Sequence, residues 1–533
     1  MPRLSELLAA ADLAGGGAAR LAEHRGGGAR VAGVSEGGTD RGAGAVSPDP
    51  DVAALVYDSR EARPGALFMA IPGFHVDGHG FAAEAVRRGA VAVVAERLPE
   101  PPVPPSTPVF LVPDARAAES ALAAAFYGHP SRGLMAAGIT GTDGKTTTAT
   151  LLWAAWRAAG LAAASLTTVD WRCADEVVPN KSRQTTLEAV DLQQLLATLR
   201  RRGCTHAAIE TSSHALALRR VDDVRYRCAV YTRVTSEHLE VHGDRAGYLA
   251  AKARLAHMVA AAPDGVAVLD ASDPFAYPVL SAIPVPTRIT YSPDPAVRAD
   301  VQAQAIRPDN GGLRVRARTP WGDADVRLHL PGGFNAANAL AALTAACATG
   351  GSLDASVRGL EALTHVTGRM ERVDLGQPFA VVVDYAHTEQ ALARVLEELR
   401  PITAGRLWVV FGSAGERDTD KRPAMGAMAA RLADRIVVTD EDPRGEDRER
   451  ILEDIAAGAV AAGAAPGETL VVVPDRAEAI ALAVNRAAPG DTVLLAGKGH
   501  EGSIITATGP VPWDERREAE RAIAARLGAP LSG

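Results

Sequence analysis

Residues 138–148 read GITGTDGKTTT and combine residue types suited to holding a polyphosphate. Gly141 and Gly144 let backbone amides approach phosphate oxygens, Lys145 can reach the terminal phosphates, and the Thr146 hydroxyl can hold a magnesium ion. Ile139 stands five residues before Gly144, where the common phosphate-binding loop has glycine. The segment predicts a nucleotide-binding loop of a variant kind, with a merely glycine-rich turn as the alternative.

The flanking segments must place this loop at the end of a strand and the start of a helix. The preceding RGLMAA can form a buried strand, and the following ATLLWAAWRAAG has apolar residues at helical spacing and stops at Gly160. The helix N-terminus would then add its partial positive charge to the loop.

Polar residues also follow two further predicted strands. CTHAAIETSSHAL reads as a strand ending at Glu210, and YRCAVYTRVTSEHLEVHGD as a strand followed by Glu237 and His238. Because ligands bind beyond the carboxyl ends of parallel strands, we expect Thr146, Glu210 and His238 at one sheet edge, where they could hold magnesium. Taken singly, each is as readily a solvated cap or an ordinary polar residue.

The C-terminal third repeats this pattern. Strands FAVVVDYA, RLWVVFGS, RIVVTDED, TLVVVPD and DTVLLAGKGHE alternate with helical stretches, which predicts a doubly wound sheet. Four polar clusters follow these strands and predict a second binding edge. They are Asp384 with His387, residues 417–422 (RDTDKR), residues 440–444 (DEDPR) and residues 498–501 (KGHE).

Length and composition limit the class of protein. A chain of 533 residues exceeds a single core and predicts about three domains. A net charge of -8 argues against a general binder of nucleic acid or anionic membranes. We predict three successive α/β domains at residues 1–132, 133–367 and 368–533, with the glycine-rich residues 14–50 flexible.

The four cysteines are far apart in the sequence and form no Cys-x-x-Cys pair, which indicates neither a zinc site nor a disulfide framework and suits a reducing cytoplasm. Glu6 and Asp12 interrupt the apolar N-terminal run, so export is not expected, and no apolar run has membrane-span length. The sequence predicts a cytoplasmic protein.

The motifs, in order along the chain, resemble those of the Mur ligase family, and most closely the members that add the third residue of the peptide. The resemblance covers nearly the whole chain and rests on the following segments: YDSREARPGALFMAIPGFHVDGHGF, GITGTDGKTTT, TTLEAVDLQ, ETSSH, EHLEVHGD, GGFNAANALAAL, GRMERV, DYAHTEQAL, ERDTDKRPAMG, DEDPR and GKGHE. It implies an N-terminal UDP-sugar-binding domain, a P-loop-type ATPase central domain and a Rossmann-like C-terminal domain that binds the amino acid.

The resemblance implies ATP- and Mg²⁺-dependent amide formation in peptidoglycan synthesis. The terminal carboxylate of UDP-MurNAc-L-Ala-D-Glu would take the γ-phosphate as an acyl phosphate, and the amine of a diamino acid would displace phosphate. Glu210 and His238 would be magnesium ligands, and Lys252 matches a lysine that the family carbamylates. The positions implied for ATP are Gly141, Thr142, Gly144, Lys145, Thr146, Thr147, Asn335, Asn338, Arg369, Asp384 and His387.

For the UDP-sugar substrate the resemblance implies Ser59, Thr185, Thr186, Ser213 and Arg220. Leu187 stands where the family has proline, and Asp143 where its phosphate loop has asparagine. The positions implied for the diamino acid are Arg422, Asp442, Arg444, Gly497 and Glu501.

The identity of the diamino acid stays open at this point. Members that add meso-diaminopimelate have Asp-Asn-Pro-Arg, whereas this chain has Asp442 in place of the asparagine. Arg444 suits a distal carboxylate and favours meso-diaminopimelate. Asp442 suits the ammonium of lysine or ornithine, which remain the alternatives.

Two rival functions are compatible with a nucleotide-binding loop. Another amide-forming relative, such as a folylpolyglutamate or D-glutamate ligase, is disfavoured by DSR, DLQ, DEDPR and GKGHE. A non-catalytic ATP-gated binding protein would need the loop but not Glu210, His238 and Lys252 together. We expect a monomer without nucleic-acid or membrane partners.

Overall fold

The computed structural model describes residues 1–13, 20–25, 28–33, 49–73, 76–182, 184–309 and 312–528. These residues form two compact units. The first unit comprises residues 1–291 and 344–352, and the second comprises residues 292–343 and 353–533. The predicted domain boundaries at 132/133 and 367/368 stay predictions.

The N-terminal part of the first unit is a six-stranded sheet in the order β2-β1-β6-β5-β4-β3. Strands β3 to β6 pair in parallel, as the alternation of apolar segments and helices predicts. Its elements are α1 (Leu4–Ala10), β1 (Arg20–Arg25), β2 (Gly28–Gly33), β3 (Ala54–Val56), β4 (Ala66–Ala70), α2 (Ala82–Arg87), β5 (Ala90–Ala95), β6 (Val109–Leu111) and α3 (Ala115–Phe126), with 3-10 turns at Ser59–Glu61, Gly78–Phe81 and Pro130–Gly133.

The predicted flexible segment at residues 14–50 contains regular structure. Strands β1 and β2 lie within it, pair antiparallel with each other, and join the sheet through β1 and β6. Pairing with β6 supplies hydrogen bonds that local composition does not reveal, and the flexibility of residues 14–50 stays a prediction. Residues 14–19, 26–27 and 34–48 of that segment lie outside the described residues.

The rest of the first unit carries the glycine loop on a sheet whose strands run in the order β10-β9-β8-β11-β7-β12-β13-β14. Strand β7 lies between β11 and β12, parallel to both, so the loop that follows it opens at the centre of one edge. The elements are β7 (Met135–Thr140), α4 (Lys145–Ala158), β8 (Ala163–Leu166), β9 (Asp170–Cys173), β10 (Glu176–Pro179), α5 (Ala189–Arg201), β11 (His206–Glu210), α6 (Ser213–Ala217), β12 (Tyr226–Tyr231), α7 (Leu239–His242), α8 (Arg245–Ala260), β13 (Val266–Asp270), α9 (Ala276–Ser281) and β14 (Thr287–Ser292).

The second unit contains the predicted doubly wound sheet. Five parallel strands run in the order β19-β23-β20-β21-β22, and β18 pairs antiparallel with β19. Its elements are β15 (Val301–Asp309), β16 (Gly312–Thr319), β17 (Gly322–Leu328), α10 (Phe334–Ala348), α11 (Leu353–Ala362), β18 (Glu371–Val373), β19 (Ala380–Asp384), α12 (Glu389–Leu399), β20 (Leu407–Phe411), α13 (Lys421–Leu432), β21 (Arg435–Val438), α14 (Arg448–Ala461), β22 (Leu470–Val472), α15 (Arg476–Arg486), β23 (Thr492–Ala496), β24 (Ser503–Thr506), β25 (Gly509–Pro512) and α16 (Glu515–Leu527), with a 3-10 turn at Arg400–Ile402.

Helices pack on both faces of this parallel sheet. One core cluster joins its strands to α12, α13 and α14, and a second joins the opposite face to α15 and α16. Such coverage explains why the strands read as continuous apolar runs in the sequence. Within the described ranges, no helix combines the length and apolar character needed to cross a membrane.

Candidate active site

The phosphate loop connects β7 to α4, as predicted, and its glycines are required by its geometry. A Cβ on Gly141 would lie 1.8 Å from Thr232 Oγ1, a hydroxyl that donates to the Asp143 carbonyl at 2.6 Å and would have to give up this bond to move away. Gly144 has a φ of 82°, in the left-handed region that favours glycine, and is the N-cap of α4. The backbone amides that follow lie at a helix N-terminus, where an anion is favoured.

The loop is supported by the segment after β12. The Thr142 N–H donates to the Arg233 carbonyl at 2.8 Å, and Thr142 Oγ1 accepts the Thr235 N–H at 2.9 Å. Lys145 folds over the same loop, with Nζ donating to the Thr142 carbonyl at 2.7 Å and the Gly141 carbonyl at 3.2 Å. A phosphate could replace these two carbonyl oxygens as the acceptor for the Lys145 ammonium.

Two predicted metal ligands, Thr146 and Glu210, are in direct contact. Thr146 Oγ1 donates to Glu210 Oε2 at 2.9 Å, and the same oxygen accepts the Thr168 N–H at 2.8 Å. Both side chains are buried. A hydroxyl and a carboxylate are oxygen donors of the kind that Mg²⁺ prefers, so this pair fits the ion that the loop implies.

Lys252 reaches the phosphate loop from α8. Its side chain is 1% exposed, and Nζ donates to the Gly141 carbonyl at 2.7 Å and lies 4.5 Å from the centre of the Tyr248 ring. Burial, together with the nearby Lys145 ammonium, holds the pKa of Lys252 well below its ordinary value. The structure therefore favours the neutral amine of this lysine beside the loop.

A tyrosine of β12 binds the backbone of α8 at Lys252 and one turn further along the helix. Tyr231 Oη donates to the Lys252 carbonyl at 2.9 Å and accepts the Ala256 N–H at 2.9 Å. The Tyr231 carbonyl in turn accepts the Tyr291 hydroxyl at 3.0 Å. The helix that carries the amine is thus tied to the strand beside β7.

His238, the third predicted metal ligand, lies in a group of three histidines. Its side chain is 42% exposed, and its ring centre lies 4.5 Å from that of His214, which lies 5.6 Å from that of His242. His242 also packs on Tyr248 at 5.4 Å. Burial is the main cause that lowers the pKa of His214 to about 4. His214 and His242 were missed as site residues, although the motifs ETSSH and EVHGD contain them.

The described residues contain no cluster of three or more His, Cys, Asp and Glu side chains placed to hold a metal ion. At the loop, the Thr146 hydroxyl and Glu210 would offer oxygen ligands to an ion, and water or substrate phosphates would supply further oxygens. Four cysteines are free and buried, and Cys173 Sγ and Cys204 Sγ lie 3.0 Å apart.

Several residues expected to bind the UDP-sugar substrate are connected to Glu210. Thr186 Oγ1 donates to the Glu210 carbonyl at 2.8 Å, and Arg220 donates to the Thr186 carbonyl at 3.2 Å while pairing with Glu188 at 2.6 Å. Ser213 is buried and its Oγ lies 3.1 Å from His242 Nε2. Two others do not share these bonds: Thr185 is half-buried beside Thr186, and Ser59 is buried in the turn after β3.

The residues expected on the adenine side form two groups within the second unit. Asn335 Nδ2 donates to the Pro331 carbonyl at 2.6 Å, and its Oδ1 accepts Asn338 Nδ2 at 2.9 Å. Asp384, the last residue of β19, accepts the Met370 N–H at 2.7 Å. The Arg369 guanidinium lies 4.9 Å from the Tyr385 ring centre, and the His387 ring lies 4.7 Å from it on the same edge.

The segments DEDPR and KGHE meet at the ends of β21 and β23, as the edge rule predicts. Lys498 Nζ contacts Asp442 Oδ1 at 2.7 Å and also Glu501 Oε2. Gly497 has a φ of 105°, and a Cβ there would lie 3.4 Å from Glu441 Oε2, an atom without a hydrogen-bond partner among the described residues. The Arg444 N–H donates to the Ile505 carbonyl at 2.9 Å. Burial raises the pKa of Glu441.

Arg422 differs from the other residues assigned to the diamino acid. Its side chain is fully buried and pairs with Glu446 at 2.7 Å and Asp454 at 3.2 Å. These two carboxylates already bind its guanidinium, which favours a structural role for it. Arg417, at the start of the same cluster, is exposed.

Comparison with known proteins agrees with this geometry. Three family models match the chain: "Mur ligase family, catalytic domain" at residues 51–127, "Mur ligase middle domain" at residues 139–346, and "Mur ligase, glutamate ligase domain" at residues 368–499.

Two similar curated proteins extend this match over most of the chain. The UDP-N-acetylmuramyl-tripeptide synthetase of Roseiflexus sp. (strain RS-1) is 50% identical over 493 residues, covering 89% of this chain and 95% of that protein. The UDP-N-acetylmuramoyl-L-alanyl-D-glutamate--2,6-diaminopimelate ligase of Geobacillus kaustophilus is 40% identical over 484 residues, covering 90% of this chain and 96% of the relative.

Solved structures share the fold. A UDP-N-acetylmuramoyl-L-alanyl-D-glutamate--2,6-diaminopimelate ligase has a TM-score of 0.62 and 30% identity, covering 89% of this chain and 95% of that one. The MurF ligase of Thermotoga maritima in complex with ADP has a TM-score of 0.62 at 20% identity, which supports the fold alone.

The chain is therefore a three-domain α/β ligase with a P-loop-type ATPase domain, of the class that forms amide bonds at the expense of ATP. It belongs to the Mur ligase family.

Proposed function

We propose that this protein adds a diamino acid to UDP-MurNAc-L-Ala-D-Glu in peptidoglycan precursor synthesis. The observation that carries the proposal is the placement of the buried Lys252 amine 2.7 Å from the Gly141 carbonyl, beside the Thr146–Glu210 pair. The names of the Roseiflexus and Geobacillus relatives support the same substrate class.

In the proposed reaction the terminal carboxylate of the dipeptide attacks the γ-phosphate of ATP and forms an acyl phosphate with release of ADP. The α-amine of the diamino acid then attacks the acyl carbon, and inorganic phosphate leaves as the amide forms. The amides after Gly144 and the Lys145 ammonium offset the charge on the phosphates. Thr186 and Arg220 hold the substrate-side segment against Glu210.

Thr146 and Glu210 would hold Mg²⁺, which would neutralise phosphate charge when bound. His238 remains a proposed ligand, and the contact of its ring with His214 would orient it. We propose that the neutral amine of Lys252 adds carbon dioxide and releases a proton, giving a carbamate. The lowered pKa supports this proposal because only the unprotonated amine can form that bond.

We propose meso-diaminopimelate as the diamino acid. As an additional anion, Asp442 would suit the ammonium of lysine or ornithine. The Asp442 carboxylate, however, is bound by the Lys498 ammonium at 2.7 Å. Arg444, two residues after Asp442, remains suited to a distal carboxylate. Relatives named as 2,6-diaminopimelate ligases support the choice.

The test is to incubate the purified protein with UDP-MurNAc-L-Ala-D-Glu, ATP, Mg²⁺ and one of four amines: meso-diaminopimelate, LL-diaminopimelate, L-lysine or L-ornithine. Mass spectrometry of the nucleotide product identifies any amide formed. We expect product in the incubation with meso-diaminopimelate. Because the LL isomer gives a product of the same mass, the separate incubations distinguish the two isomers. Turnover with glutamate and a folate, and none with this substrate, would instead favour a folylpolyglutamate synthase.

We further propose that the protein is a monomer that acts in the cytoplasm, where UDP-linked precursors and ATP are available. Sedimentation of the purified chain with and without ATP tests the monomer. A mass twice that of the 55.3 kDa chain would contradict it.

A further inference from the structure

Lys498 is a fully buried cation of the second binding edge. It follows β23 between Gly497 and Gly499, which have φ values of 105° and 48°, and its side chain is fully buried. A buried ammonium is costly unless carboxylates or hydrogen bonds compensate it. Asp442 and Glu501 both provide that compensation.

Four chain segments meet at this ammonium. Asp442, beyond β21, also accepts the Ile505 N–H of β24 at 2.9 Å. Glu501 accepts the Tyr385 hydroxyl, beyond β19, at 3.1 Å. Lys498 therefore connects the ends of β19, β21 and β23 with the β24 strand, and the position of each carboxylate depends on it.

The two carboxylates differ in exposure. The Asp442 side chain is 6% exposed, whereas that of Glu501 is 22% exposed. One ammonium offsets one of the two negative charges, so one negative charge remains. Because Asp442 is the enclosed partner, Glu501 is the carboxylate that can meet a further cation.

We propose that Lys498 is a positioning residue of the amine pocket, which neutralises Asp442 and orients Glu501 so that Glu501 receives an ammonium group of the amine substrate. This inference rests on the proposed function. It adds Lys498 and Asp442 as supports of a pocket in which the family resemblance already implies Glu501. Lys498 itself does not touch the amine.

The test compares Lys498→Met, Asp442→Asn and the double variant in the ligation assay, with KM measured separately for amine, ATP and UDP-sugar substrate. Lys498→Met leaves two unpaired carboxylates, so we expect the KM for the amine to rise about 30-fold. The KM for ATP should change less than about twofold, because the phosphate loop is not part of this group.

Asp442→Asn removes one of the two carboxylates while keeping the shape of the side chain. In the Lys498→Met background, Asp442→Asn should lower the KM for the amine by about fivefold, towards the wild-type value. Alone, it should shift the KM of every diamino acid by a similar factor, because its charge faces Lys498. Lys498→Arg keeps the charge and provides a second variant if Lys498→Met does not fold. It should raise the KM for the amine less than a neutral replacement does.

Asp491→Asn is the matched control. Asp491 is a buried carboxylate at the opposite end of β23, where it accepts the Arg406 N–H and Trp408 Nε1. It should lower the thermal midpoint while leaving the KM for the amine unchanged. The inference is overturned if Lys498→Met retains the wild-type KM for the amine, or if Asp442→Asn alone reverses the preference among diamino acids. Absence of product from the wild-type protein would instead refute the proposed function.

Discussion

Two buried lysines, one in each unit, show how surroundings decide what an amine can do. Lys252 donates to a carbonyl oxygen and lies near another ammonium, that of Lys145. Lys498 contacts the carboxylates of Asp442 and Glu501. Both side chains are at most 1% exposed. At Lys252, burial and the neighbouring ammonium outweigh the carboxylates of Glu237, Asp143 and Glu210 and favour a neutral amine, whereas contact with two carboxylates favours a fixed cation at Lys498.

The largest expected effect comes from removing the reactive amine. Lys252→Ala should lower kcat for ligation by about 1000-fold, because the carbamate that we propose would be lost. Short carboxylates such as acetate or formate, added to this variant, should restore part of the activity because they can occupy the vacated space. The measurement is product formation with and without the added acid.

Lys252→Arg is the control, since it keeps a positive charge but cannot become a neutral amine at ordinary pH. It should be as inactive as Lys252→Ala and gain nothing from carboxylates. Full activity in either variant would contradict the role of Lys252 and remove the contrast with Lys498.

A smaller effect is expected from crowding the loop that Lys252 contacts. Gly141→Ala places a Cβ against Thr232 Oγ1, and we expect a loss of about 3 kcal/mol in the free energy of unfolding together with weaker ATP binding. Denaturant unfolding and nucleotide titration measure the two losses. Gly80→Ala, whose Cβ would have no neighbour closer than 4.0 Å, should change neither.

A third buried group, Glu119 on α3, extends the comparison to a carboxyl on which burial outweighs the charges of Arg116 and Arg220. Its Oε1 has no hydrogen-bond partner among the described residues, and burial, with Glu188 nearby, raises its pKa to about 8. The unfolded chain ionises this group near pH 4.5, so the folded state loses stability as pH rises from about 4.5 to about 8. Below pH 4.5 the penalty is absent because both states are protonated.

Glu119→Gln should therefore raise the free energy of unfolding by about 2 kcal/mol at pH 8 and by much less at pH 4.5. Chemical unfolding across this range provides the measurement. The exposed Glu61→Gln variant is the control and should leave the pH profile as in the wild type. A gain of equal size at both pH values would show that ionisation of Glu119 is not the cause.

The smallest expected effect separates the ring of Tyr248 from its hydroxyl. Tyr248→Phe keeps the ring under Lys252 but removes the hydrogen bond to Thr142 Oγ1 at 3.2 Å, and should lower kcat/KM by about fivefold. Tyr248→Leu, which also removes the ring, should cost more. Equal losses in the two variants would mean that the ring contributes nothing to the Lys252 environment.

The sequence predicted the elements that carry the site. The strand expected to end at Glu210 is β11 (His206–Glu210), and the helix expected to follow the glycine loop is α4, which ends just before Gly160. All five strands expected in the C-terminal sheet are present and parallel. These features depend on local apolar patterns and on turn residues, which can be identified in a single sequence.

Side-chain partnerships could not be predicted in the same way. Arg422 is enclosed by Glu446 and Asp454, which lie 24 and 32 residues further along the chain. Asp442 looked like a free anion in the sequence, but Lys498, 56 residues away, binds it. Such pairs depend on how strand ends meet in three dimensions, which composition and periodicity do not specify. The site residues themselves therefore stay predictions that the variants above test.

The hydroxyl of Tyr231 has a practical consequence for inhibitor design. This hydroxyl, on the strand β12 beside β7, forms two hydrogen bonds to the backbone of α8, the helix that carries Lys252. The spacing between the loop and the Lys252 nitrogen should accordingly vary little from one bound compound to the next. A compound that binds at the loop could therefore carry an electrophile at one fixed distance and react covalently with the Lys252 nitrogen.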